Sequence, residues 1–243
     1  MAFFRRNRPA PIDVAEETTE QEQVVANAAA EAGEPVKTSG PFDVSEVENR
    51  GSRLDLGAIW LPGIQGIELR MEVDQKSQRV TGVAVAHNGS ILQLQAFAAP
   101  KVEGIWDEIR GEIGASIKAQ GGLVDDVPGS LGRELLVRLP VKMPDGQDGV
   151  QPARFVGFDG PRWFLRGVFS GRASFDKEAA KDLEDIFRNV VVLRGSEARA
   201  PRDLLELTLP GGLTPAQVQA KNAAAAAEID NPLKRGPEIT QIG

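Results

Sequence analysis

The sequence predicts an α+β fold: a mainly antiparallel sheet covered by two amphipathic helices, with flexible arms at both ends. Three observations carry this expectation. Several segments alternate apolar with polar residues and are joined by short turn signals such as Asn88-Gly89. Two stretches, Val102–Gln120 and Asp176–Asn189, repeat apolar residues at helical three-and-four spacing. The N-terminal end is rich in acidic residues, the C-terminal end in alanine, and both are poor in bulky apolar residues, so they cannot bury enough surface to offset the entropy of ordering.

These contrasts divide the 243 residues. Residues 1–44 are expected as a disordered acidic arm, 45–210 as a single α+β domain, and 211–243 as a short helix and a disordered tail. The first eight residues hold three arginines and two phenylalanines. One short basic cluster binds an anionic membrane weakly, so a solvated start is the favoured reading.

Within the domain, Arg53–Pro62 forms a first extended run. Ile67, Leu69, Met71 and Val73 alternate with Glu68, Arg70 and Glu72, as in a half-buried antiparallel strand. Arg79–His87 and Ser90–Ala98 flank Asn88-Gly89, whose type I′ turn pairs Val85 with Leu92 and Val83 with Leu94. The helix from Val102 to Gln120 offers a stripe of Val102, Ile105, Trp106, Ile109, Ile113 and Ile117, and Gly121-Gly122 ends it. Leu135, Val137, Leu139 and Val141 give another strand.

Two runs, Arg154–Phe158 and Trp163–Phe169, then flank Asp159-Gly160-Pro161-Arg162 as a hairpin. Pairing Phe158 with Trp163 and Val156 with Leu165 places Val156, Phe158, Trp163, Leu165 and Phe169 on the core face. The opposite face carries Phe155, Phe164, Arg166 and Val168. It is too apolar to be plain solvated sheet, so another part of the chain covers it or a protein partner does.

The second helix has Ser174 or Asp176 as N-cap and a buried stripe of Ala179, Leu183, Ile186, Phe187 and Val190. Lys181, Asp182, Glu184 and Asp185 fall mostly on its wet face. Leu204–Leu209 is a short final strand or extended segment. Thr214-Pro215-Ala216-Gln217 carries the signals of a helix start.

Composition removes whole classes of chemistry. There is no cysteine, which excludes disulfides, thiolate metal sites and cysteine nucleophiles. His87 is the single histidine, so multi-histidine metal sites are excluded as well. His87 sits beside a tight turn, where polar residues are ordinary. Net charge −7 opposes nucleic-acid binding by phosphate neutralisation. No apolar run approaches the roughly 20 residues of a spanning helix, and the start lacks the apolar stretch of a secretory signal. A cytoplasmic protein is expected, with no stable membrane insertion and no cofactor.

Candidate sites are few. The glycine pairs at Gly63–Gly66 and Gly129–Gly132 lack the lysine and the strand-to-helix context of a phosphate loop and read as turns. Asp125 and Asp126 are adjacent carboxylates without further ligands. Arg53 and Asp55 share a strand face and are weak polar-ligand candidates, with a structural ion pair as the alternative. Phe155, Phe164, Arg166 and Val168 form the candidate protein-contact face.

The runs Gly51–Pro62, Leu92–Pro100, Arg162–Gly167 and Arg235–Thr240 together resemble an actinobacterial family known as domain of unknown function 3710. The resemblance covers most of the chain from about Pro41. It implies an intracellular bacterial protein and supplies no activity, cofactor or site residue. The order of strands and helices also faintly resembles the α/β/α sandwich of the PsbP-like fold, without a shared motif.

The leading expectation is a non-enzymatic protein-interaction or scaffold module. Its alternative is a small-ligand-binding regulatory module with a pocket between sheet and helix. A deep pocket with convergent polar groups would favour the second; a shallow apolar patch around Phe155 and Phe164 would favour the first. The composition of the ends yields a first test: limited proteolysis is expected to trim the chain to a resistant core near residues 45–210, and protection of Glu16–Glu34 would refute the arm assignment.

Overall fold

The computed structural model describes residues 40–63, 65–74, 76–102, 104–142, 146–209, 214 and 216–218. The expected acidic arm before residue 40 and the tail beyond residue 218 lie outside the described residues.

The elements are β1 (Phe42–Asp43), β2 (Leu54–Asp55), β3 (Ile59–Leu61), β4 (Glu68–Val73), β5 (Val80–His87), β6 (Ser90–Ala98), α1 (Trp106–Ala119), β7 (Leu123–Gly129), β8 (Gly132–Lys142), β9 (Asp148–Gly160), β10 (Trp163–Gly171), α2 (Lys177–Arg188) and β11 (Val191–Val192). Seven strands form one antiparallel sheet in the order β4-β5-β6-β10-β9-β8-β7. A four-stranded sheet, β1-β11-β3-β2, pairs β1 and β11 in parallel. The class is therefore α+β and mostly antiparallel.

Strand alternation fixes the two faces of the large sheet. On one face Val83, Val85, Leu92, Leu94, Leu165 and Phe169 share a core with Leu183, Ile186 and Phe187 of α2 and with Ile59 and Leu61 of the small sheet. On the other, Ile117 of α1 packs with Leu135, Val137 and Ala153, while Ile105 and Trp106 pack with Phe164. The Asn88-Gly89 turn has positive φ at both residues (46° and 73°), and its ladder pairs Val85 with Leu92 and Val83 with Leu94 as the turn chemistry requires.

The central hairpin differs in detail. Trp163 pairs with Gly160, Leu165 with Phe158 and Gly167 with Val156, so the loop is only Pro161-Arg162. Proline at the first loop position and a positive φ of 64° at Arg162 are the combination a type II turn uses. The register has shifted by two residues from the expected one. Because the side-chain period is two, every side chain keeps its expected face; Phe158 and Trp163 still stack, at 5.9 Å between ring centroids.

Other boundaries move for identifiable reasons. The extended run Arg53–Pro62 is instead a tight reversal, β2 pairing back on β3, with the Asp55 carboxylate accepting the Gly57 N–H at 2.9 Å. Phe42–Asp43, inside the expected arm of residues 1–44, pair with β11. Leu123–Gly129, where the sequence reading places no strand, is an edge strand that pairs along its length with β8. Val218 is buried in the main core, and Thr214 and Gln217 exchange the reciprocal capping-box bonds.

The first helix begins at Trp106, not Val102, and Val102 is 90% exposed. Its cap comes from far along the chain. The Asp159 carboxylate accepts the N–H of Ile105 at 2.8 Å and of Trp106 at 3.3 Å, two donors that a helix start leaves without partners. Trp106 lies against the sheet where Gly157 has no side chain; a Cβ there would stand 2.3 Å from the indole. Its Nε1 donates to the Arg133 carbonyl at 2.7 Å. Trp106→Ala is therefore expected to cost roughly 3–5 kcal/mol, and Gly157→Ala to unseat the same ring. Chemical denaturation checks both, and wild-type stability of either variant would refute this packing.

Candidate functional site

The candidate protein-contact residues are not a free surface. Phe164 is fully buried, with its ring 5.8 Å from that of Trp106 and 6.0 Å from that of Phe97. Phe155 and Val168 are half-buried against α1 residues. Arg166 lies over the Phe97 ring at 5.5 Å and donates to the Gln95 side chain. Burial lowers its affinity for its proton, partly offset by Glu72. Of the two possible covers for this face, the chain itself supplies one.

The weaker polar candidates also separate. Asp55 has Arg50 as its ion-pair neighbour at 3.7 Å, and Arg53 donates to the Arg50 carbonyl at 3.4 Å. Each of the two thus contacts Arg50. Asp125 faces Arg138 at 3.5 Å, whereas Asp126 meets Arg133 at 2.8 Å and Arg110 at 3.1 Å. As neighbours on a strand they point to opposite faces, so one cation cannot bridge them. His87 Nε2 is 3.1 Å from Asp182 Oδ2 and its Nδ1 is 3.3 Å from the Gly66 carbonyl, tying the β5–β6 hairpin to α2. Among the described residues no group of three or more His, Cys, Asp or Glu could hold a metal ion, and no helix is long and apolar enough to cross a membrane.

A cavity of about 550 Å³ opens between α2, the β7–β8 hairpin and β9. Its apolar wall includes Val127, Pro128, Leu136 and Phe175, and Phe175 is 71% exposed. Lys177 and Lys181 of α2 also line it.

Arg154 lines this cavity and is only 8% exposed. It belongs to the strand parity of Val156 and Phe158, which β9 turns toward the core. Its guanidinium sits 4.2 Å from the centre of the Phe169 ring. Its Nη1 donates to Glu184 at 2.8 Å and to Glu134 at 3.4 Å, and both glutamates are buried. Glu134 also accepts the Leu131 N–H at 2.9 Å. Glu184 meets Arg188 at 3.0 Å. The Nε and Nη2 groups of Arg154 have no acceptor.

Burial by itself would push the Glu184 carboxyl up. The Ser130 hydroxyl, the Arg154 guanidinium and Arg188 outweigh that and hold it below the ordinary glutamate range. Glu184 and Glu134, both bonded to Arg154, are its counter-ions.

Glu184 departs from its expected place on the wet face of α2. Its position was legible: Ala180, Glu184 and Phe187 follow helical four-and-three spacing, so Glu184 borders the buried stripe. Arg154 was legible too, through its parity with Val156 and Phe158. Glu134 was not, because its burial goes with contacts to Arg154 and the Leu131 N–H that no pattern along β8 records.

Buried pairs of this kind are costly to break from one side, typically by about 3–5 kcal/mol. Glu184→Gln is expected to destabilise the fold on that scale at neutral pH. The carboxyl is held below its ordinary value of 4.5, so its contribution is present above that pH and fades as pH falls through the lowered value. The variant should therefore show a flatter loss of stability on acidification. Denaturant midpoints measured from pH 7 to 3 check this, and parallel profiles would refute it.

A family model described as "Protein of unknown function (DUF3710)" matches residues 40–216 of the chain. No curated protein matches it.

Proposed function

We propose that this chain, which belongs to the DUF3710 family of proteins of unknown function, is a small-ligand-binding regulatory module of the cytoplasm. The observation that carries the reading is the cavity beside α2, where charged side chains converge on the buried Arg154 next to an apolar wall. Burial of Phe164 under Trp106 weighs against the shallow apolar patch that a scaffold reading through that face needs.

Binding without catalysis is the fitting activity. The site's two buried carboxylates are committed to arginines, and the wall brings no histidine or cysteine to the cavity. The chain's acidity argues against nucleic acid as the partner. One observation keeps a protein-interaction module as the second reading: Phe175 presents an exposed phenyl ring at the cavity wall, and aromatic residues are enriched at interface hot spots.

The test is a thermal-shift screen of the full chain against a panel of small organic acids, amines, amides and sugars. A ligand at a hundred times its dissociation constant stabilises by about 2.7 kcal/mol. In a domain of this size that raises the melting temperature by about 2–4 °C for each kcal/mol. Leu136→Trp fills the cavity from a partly exposed position and should abolish the response. Equal responses of wild type and variant would refute the site.

A further inference from the structure

Three features of the cavity define what fits it. The first is the direction of Arg154. Glu184 and Glu134 take only Nη1, while Nε and Nη2 have no acceptor. Nε and Nη2 carry the parallel N–H groups of the guanidinium's side-on fork, whose spacing matches the two oxygens of a carboxylate. Leaving two such donors buried and unmatched is costly, and an acceptor of the right shape removes that cost.

The second feature is charge. The acidic groups are mostly committed: Glu134 and Glu184 to arginines, and Asp176 to Arg172 and to the N–H groups of Glu178 and Ala179. Lys177 and Lys181, by contrast, make no hydrogen bond or ion pair among the described residues. The uncommitted charge is therefore mostly positive, with Glu178 the exception. The third feature is the apolar wall of Val127, Pro128, Leu136 and Phe175, which an inorganic anion would leave without a partner.

We propose that the occupant is a small organic carboxylate with an apolar body, its two oxygens on the Nε–Nη2 fork of Arg154 and its body against Leu136 and Phe175. This rests on the reading of the cavity as a ligand site. Neither fork nitrogen touches solvent, so binding includes a side-chain displacement at the cavity wall. Lys177 and Lys181 attract the anion on approach, which makes association sensitive to salt.

The test measures binding to the full chain by calorimetry, with a panel of aliphatic and aryl carboxylates, their methyl esters, and inorganic phosphate. Carboxylates are expected to bind at least about tenfold more tightly than their esters, the scale of a charge-assisted hydrogen bond. Arg154→Lys, which keeps the charge but loses the fork, should remove that preference. If this variant fails to fold, the exposed pair Lys177→Gln with Lys181→Gln gives the second readout: weaker carboxylate binding and reduced salt dependence.

Esters binding as well as acids at a site blocked by Leu136→Trp would overturn the carboxylate assignment and leave the ligand site standing. Phosphate binding as tightly as the carboxylates would overturn the role of the apolar body. Absence of binding by every compound would overturn both.

Discussion

Two-sided burial of β10 is the constraint on which the other elements depend. Trp163, Phe164, Leu165 and Phe169 are all fully buried, though they point to both faces of the sheet. An antiparallel strand commonly leaves one face to water; this one requires apolar cover on both. Cover comes from α2 and the small sheet on the Leu165 side and from the start of α1 on the Phe164 side. Trp106 reaches Phe164 only because Gly157 on the neighbouring strand leaves room for the indole. The same hairpin that buries these aromatics lends Asp159 to cap α1. Packing and capping of α1 are thus one structural unit, although its parts lie about fifty positions apart in the chain.

The ends of the large sheet follow a different rule. An open edge exposes backbone donors and acceptors to pairing with other chains. On β7, Pro128 removes one donor, and Arg133 Nη2 donates to the Asp126 carbonyl at 3.3 Å. Arg110 reaches Asp126 from α1 at 3.1 Å and clips the helix to that strand. At the opposite edge, β4 carries the charged Glu68, Arg70 and Glu72 on one face and a register shift at Glu72/Val73. Strand addition is consequently disfavoured at both edges.

The cavity beside α2 shows how a charged cluster orients its members without supplying much stability. Two glutamates and two arginines offset one another in charge, and such clusters contribute little net stability beyond an apolar equivalent. Their effect is directional. Glu184, shared between Arg154 and Arg188, fixes α2 over β9 and sets the orientation of the Arg154 guanidinium over Phe169. Directionality is what a binding site requires of a buried cation, because a preorganised fork loses less entropy on meeting its acceptor.

Periodicity and turn chemistry by themselves determined the α+β class, the faces of the central hairpin, the register of the Asn88-Gly89 hairpin and the body of α2. These are local properties: a two-residue side-chain period, a turn that demands positive φ, a helical repeat. Arg154 shares the parity of Val156 and Phe158, but Glu184, expected mostly on the wet face, is buried. Only the tertiary structure decided the rest. The start of α1 depends on Asp159, the strand character of Leu123–Gly129 on its pairing with β8, and the burial of Glu134 on its pairing with Arg154. The Phe164 face gave no local sign of whether chain or partner covers it, because an apolar side chain pays the same cost in water whatever buries it. Each of these outcomes rests on a contact between residues distant in sequence, and a pattern read along the chain carries no record of which distant segment arrives.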